Sequence, residues 1–197
     1  QHVDITDRHL AVEGLAGAAI DQRHLTRPVQ PGVAQHIKDV LFARAIEDLS
    51  SEVNPEEAAR AARIAYRHTH ELAIAYQITD PPLIHNVKVN NGSKPRGLCW
   101  HWAEDVEKRL KAEGFATLDL HRAIANGDSR ILLDHSTAII SAGGAPMQAG
   151  LVLDPWRRGG ELFWSPVTSD PRYDWAPREE VLRRNGRIRY VQAGMEG

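Results

Sequence analysis

Cys99 is the chain's one cysteine, set in Gly97-Leu98-Cys99-Trp100-His101-Trp102 at the start of an amphipathic segment. A lone thiol forms no internal disulfide and no multi-cysteine metal site, but it can be a nucleophile. At a helix start, unpaired backbone N–H groups and the helix dipole favour the thiolate. His135 follows on a strand-like run and Asp154 closes another, so residue types and order suggest a Cys-His-Asp triad. In such a triad the thiolate attacks a carbonyl carbon. The imidazole takes the thiol proton and later protonates the leaving group, while the carboxylate orients the ring and stabilises its charged form. The oxyanion needs the N–H of the nucleophile and a second donor, for which Asn90, Asn91 and the loop before Cys99 are the candidates.

The elements that must position these groups are legible in part. Cys99, Ala103, Val106 and Leu110 share one helical face, which would pack on a sheet, and the helix is expected to run to about Ala112. Gly97 is expected to leave room near the helix start for another backbone or a substrate. Period two puts His135, Thr137 and Ile139 on one strand face, and Asp154 ends a strand over residues 150–154. In an antiparallel hairpin, a turn centred on Gly144-Ala145 sets His135 directly opposite Asp154. A turn on Gly143-Gly144 leaves Asp154 one diagonal step away on the same face, whereas an odd-membered loop would send it to the other face. Asp134, adjacent to His135, points the other way. His101, about 200° round the helix from Cys99, reads as a surface or structural histidine.

Upstream, residues 5–20 suggest a helix weakened by Gly14 and Gly17, followed by a breaker at residues 27–32. Helices are expected over residues 33–49 and from Asn54-Pro55-Glu56-Glu57 to about Gln77, ended by Thr79-Asp80-Pro81-Pro82. Residues 83–89 read as a short extended piece, 90–97 as a loop, 115–120 as a strand and 187–192 as a last strand. This divides the chain into an N-terminal helical part, residues 1–82, and a catalytic α+β part, residues 83–197, together forming one compact unit.

Bulk properties narrow the classes. The 197 residues are 42% hydrophobic and 25% charged, enough for a core without disulfides or structural metals. A formal net charge of −2 argues against nucleic-acid binding, and no apolar run approaches a membrane span. One thiol fits either redox compartment. A chain beginning at Gln1 is what removal of a signal peptide would leave, which makes export one expectation. The sequence does not address oligomeric state.

Gly97-x-Cys99 at a helix start with Ala103 four positions on, His135 opening a strand, and Leu153-Asp154-Pro155-Trp156 at a strand end together resemble the transglutaminase-like group of papain-like cysteine hydrolases. Trp100, directly after the cysteine, is more similar to papain, and the strand after His135 lacks aromatic residues often found in the transglutaminase-like group. The resemblance spans about Gly97 to Trp156. It implies an α+β fold with the nucleophile helix packed on an antiparallel sheet, and acyl transfer from a peptide or other amide through a thioester to water or an amine. It calls for no cofactor and no metal. The five tryptophans would line a substrate cleft or fill the core, with Trp156, beside Asp154, the foremost cleft candidate. The competing reading is a catalytically inactive papain-like fold that binds a protein partner.

Overall fold

A computed structural model describes residues 31–129 and 132–186. The helix suggested at residues 5–20 and the strand at 187–192 lie outside the described residues. Within them the chain is α+β, with five α-helices and a five-stranded antiparallel sheet of order β4-β3-β2-β1-β5. The helices are α1 (Pro31–Glu47), α2 (Pro55–Ala75), α3 (Pro82–Asn90), α4 (Cys99–Lys111) and α5 (Arg178–Arg184). The strands are β1 (Leu118–Ala125), β2 (His135–Ala142), β3 (Leu151–Asp154), β4 (Phe163–Pro166) and β5 (Ala176–Pro177).

Local chemistry sets the helix starts. The Asn54 side chain accepts the N–H groups of Glu56 and Glu57 at 2.8 and 3.2 Å, Pro55 occupies the first turn, and Glu56 and Glu57 complement the dipole. Glu57 also accepts from the backbone N–H groups of Ala116 and Thr117, both at 2.8 Å, so the start of α2 is bonded to the approach to β1. α4 ends with Lys108, Arg109 and Lys111, charges that suit a helix C-terminus.

α4 lies between the sheet and α2, and α1 packs on α2. Strand alternation then divides the core. Ala138, Ile140, Leu151 and Leu153 meet Trp102, Val106 and Leu110 of α4 in a cluster that continues through Ala58, Ala62 and Leu72 of α2 to Phe42 and Ile46 of α1. On the other sheet face, Ala123, Ala125, Ile139 and Val152 pack with Met147, Val167 and Trp175.

Three sequence expectations change. Residues 83–89 form α3, not an extended piece: Pro82 pre-sets the helical φ at the first turn, and His85 is buried while Leu83 and Val87, one turn apart, face outward. The strand expected over residues 115–120 starts at Leu118 and runs on to Ala125. Beyond Asp154, where loops were expected, β4 and β5 form the two edges of the sheet and α5 follows β5. No helix among the described residues is long and apolar enough to cross a membrane.

Candidate active site

The segment that delivers Cys99 is held from both sides. Leu98, the N-cap of α4, has no side-chain oxygen for the free N–H groups of the first turn. His101, three residues on, reaches back: its Nδ1 accepts the N–H groups of Gly97 and Leu98, each at 3.2 Å. This structural role requires an unprotonated Nδ1. Burial, then the neighbouring Arg96 charge, holds the His101 pKa below 6.5.

Gly97 has φ +123°, a conformation open to glycine, and a Cβ there would run into the His85 imidazole. The room expected beside Gly97 is therefore filled by this ring, whose Nε2 donates to the Arg96 carbonyl at 2.8 Å. The Arg96 guanidinium pairs with both Asp105 oxygens at 3.0 and 3.1 Å, and the Tyr76 hydroxyl donates to the same carboxylate. The Trp102 indole N–H donates to Gly97 O at 3.0 Å.

These contacts aim the first turn of α4 at the start of β2. The Cys99 thiol donates to the carbonyl of Asp134, the residue just before His135, at 3.8 Å, and the sulfur lies near enough to the His135 imidazole to favour its charged form. On its other side, His135 Nε2 donates to Asp154 Oδ2 at 2.7 Å, leaving Nδ1 for the sulfur. Both His135 and Asp154 are almost fully buried. The β2–β3 register pairs Ile139 with Val152, so Asp154 lies opposite Thr137 and His135 is one diagonal step beyond. Neither of the two tight turns considered from sequence is present. The connection runs from Gly143 to Gly150 through a 3₁₀ turn at Met147–Ala149, and its even length keeps both side chains on one face.

Asp154 is part of a longer chain of charges. Arg157 gives its backbone N–H to Asp154 Oδ1 at 3.1 Å and its Nε to Oδ2 at 3.0 Å. The same guanidinium grips Asp170 with two bonds, at 3.0 and 2.7 Å, and Trp175 Nε1 donates to Asp170 at 2.9 Å. Two carboxylates and one guanidinium leave an excess negative charge, which an imidazolium at His135 neutralises. Its pKa accordingly rises from 6.5 to about 9: burial pulls it down, and the hydrogen bonds and charges of Asp154 and Cys99 outweigh that. The rings of Trp156, Tyr173 and Trp175 surround the imidazole, with centroids at 4.7, 4.6 and 5.5 Å, an environment that also favours a cation.

Cys99 and His135 open into a cleft of about 770 Å³. Trp100 and Trp156 line it, whereas Trp102 is core, Trp175 packs on His135, and Trp164 stacks on Phe42. Asn91 does not line it: this residue caps the end of α3, and its Oδ1 accepts from the backbone N–H and hydroxyl of Ser93. Asn86 and Asn90 of α3 do line the cleft. Trp156 Nε1 donates to Asn86 Oδ1 at 3.0 Å, which turns the Asn86 amide N–H₂ away from the tryptophan, where it donates to no described residue. Asn86 was hidden in the sequence by the extended reading of its segment. Arg157, three residues after Asp154 across Pro155, carried a weak local signal, and Asp170 carried none. No group of three or more His, Cys, Asp or Glu side chains able to hold a metal occurs among the described residues. Comparisons of the chain with protein-family models, with curated proteins and with solved structures find no match.

Proposed function

We propose that this protein is a cysteine hydrolase or acyltransferase acting on a peptide or other amide, with Cys99 as nucleophile, His135 as proton carrier and Asp154 as the orienting carboxylate. The observation that carries the reading is the buried His135 imidazole, bonded to Asp154 at 2.7 Å and lining the same cleft as Cys99; with its pKa raised to about 9 it can hold a proton beside the sulfur at neutral pH. The thiolate attacks the amide carbonyl carbon. The oxyanion is met by the Cys99 N–H in the first turn of α4 and by the free Asn86 amide. The imidazolium protonates the departing amine as the C–N bond breaks, leaving a thioester. Water or a second amine then gives its proton to His135, attacks the thioester and releases the thiolate. A nucleophile helix packed on an antiparallel sheet, with histidine and carboxylate on adjacent strands, supports membership of the papain-like superfamily and, within it, the transglutaminase-like group.

Iodoacetamide labelling tests the reading, because Cys99 is the only thiol. Rapid modification near neutral pH is expected, slowed by His135→Gln. Cys99→Ala is expected to keep the fold and abolish amide turnover. Slow labelling that rises only at alkaline pH, alike in the parent and in His135→Gln, would refute the triad and leave the binding-module reading.

A further inference from the structure

Large apolar side chains are not scattered evenly over this surface. Of the eleven exposed among the described residues, five (Leu83, Val87, Trp100, Leu132 and Leu133, 45–73% exposed) line the single cleft that contains Cys99. Such a concentration marks a binding surface. α3 gives it a definite wall. Leu83, Asn86, Val87 and Asn90 are spaced three and four residues apart and form one stripe along the helix, and all four line the cleft. The helix is fixed at two points. His85 is buried beneath Gly97 and bonded to Arg96 O, and the Asn86 amide is bonded to Trp156, whose ring lies against the His135 imidazole. The stripe is thus continuous with the proposed catalytic centre and carries no charge. The charged side chains on the cleft lining, Asp134 and Arg172 beside His135 itself, come from other segments.

We propose that α3 is the substrate-reading wall of this enzyme and that it selects a peptide with a large uncharged side chain, leucine or phenylalanine in type, next to the scissile amide. The proposal rests on the cysteine-hydrolase reading above. Leu83, Val87 and Trp100 take the apolar group out of water. The amide groups of Asn86 and Asn90, neutral hydrogen-bonding groups placed among the apolar ones, match peptide units rather than a bare hydrocarbon chain. A charged side chain would lose hydration against this wall without finding a partner on it.

Matched acetyl-aminoacyl chloromethyl ketones carrying Leu, Phe, Gly, Asp or Lys test this, since the Cys99 thiolate displaces chloride and the new C–S bond can be mapped by mass spectrometry. Each labelling rate is divided by that of iodoacetamide on the same protein. The Leu and Phe probes should exceed Gly, Asp and Lys by roughly tenfold or more, the scale on which apolar pockets discriminate. Val87→Asp should collapse that ratio. Ile74→Asp, at an equally exposed apolar position outside the cleft, should preserve it. Rapid iodoacetamide labelling with no preference among the probes, or with preference for a charged one, overturns the substrate assignment and leaves the triad standing. A decanoyl chloromethyl ketone reacting faster than the Leu and Phe probes overturns it in favour of a fatty acyl group. Failure of iodoacetamide to label Cys99 near neutral pH refutes the triad itself, and the substrate assignment with it.

Discussion

Asp154→Asn isolates the electrostatic half of the site. The carboxylate accepts from buried His135 at 2.7 Å and, after burial, is the foremost influence on an imidazole pKa raised from 6.5 to about 9. Asparagine is nearly isosteric but uncharged. Without the negative charge, burial acts against the imidazolium with only Cys99 opposing it, and the midpoint should fall to 6.5 or below. At ~1.4 kcal/mol per tenfold, that is roughly 3.5 kcal/mol or more lost from the charged form. At pH 7.5 the protonated fraction drops from nearly all to about a tenth or less. The fold should tolerate the change, because Arg157 retains both bonds to Asp170. The assay is the His135 ring resonance followed by NMR from pH 5 to 10, assigned with His135→Gln, alongside iodoacetamide labelling over the same range. Amide turnover should fall by roughly 10²–10⁴, as expected when the orienting carboxylate of a triad is neutralised. A His135 midpoint still near 9 in Asp154→Asn would refute the assignment of Asp154 as the charge that holds the proton.

Three further outcomes follow from the same contacts. His101→Ala removes the acceptor for the N–H groups of Gly97 and Leu98 and should cost about 1–2 kcal/mol in thermal or urea unfolding, with His101→Gln recovering part of the loss. Gly97→Ala demands a strained φ and drives a methyl into His85; unfolding should be easier by about 2 kcal/mol or more, and Cys99 labelling should slow. Stability should peak near pH 6.5–7. The His135 contribution is complete below 6.5 and disappears as pH rises through about 9, whereas His101, with its pKa depressed, withdraws stability as pH falls below 6.5. Tm measured against pH should show both limbs, with the alkaline one flattened in Asp154→Asn.

The grouping of Cys99, His135 and Asp154 was legible because each depends on a local pattern: a thiol at a helix start and two strands with alternating faces. The hairpin register differs from both turns weighed, yet the even loop preserves the faces, so Asp154 still meets His135. α3 was illegible for a different reason. Four of the seven residues after the two prolines are apolar (Leu83, Ile84, Val87 and Val89), three of them β-branched, which fits an extended piece equally well, and the helix is selected by tertiary contacts, chiefly His85 under Gly97. Asn86 was lost with it. Gly97 was marked as special, but composition does not show which side chain fills the space beside it. The grip of Arg157 on Asp170 joins residues thirteen apart across a strand, and no periodicity reports that.

In the proposed enzyme, the two-point attachment of α3 separates reaction from recognition along the chain. One short helix bears the apolar outer stripe, while Cys99, His135, Asp154 and Arg157 reside on α4, β2, β3 and the turn after β3. Leu83 and Val87 can therefore be exchanged, by drift or by design, without disturbing the His135–Asp154–Arg157 contacts made elsewhere, provided His85 and Asn86 keep their grips. A scaffold arranged this way can acquire new preferences through a handful of surface codons.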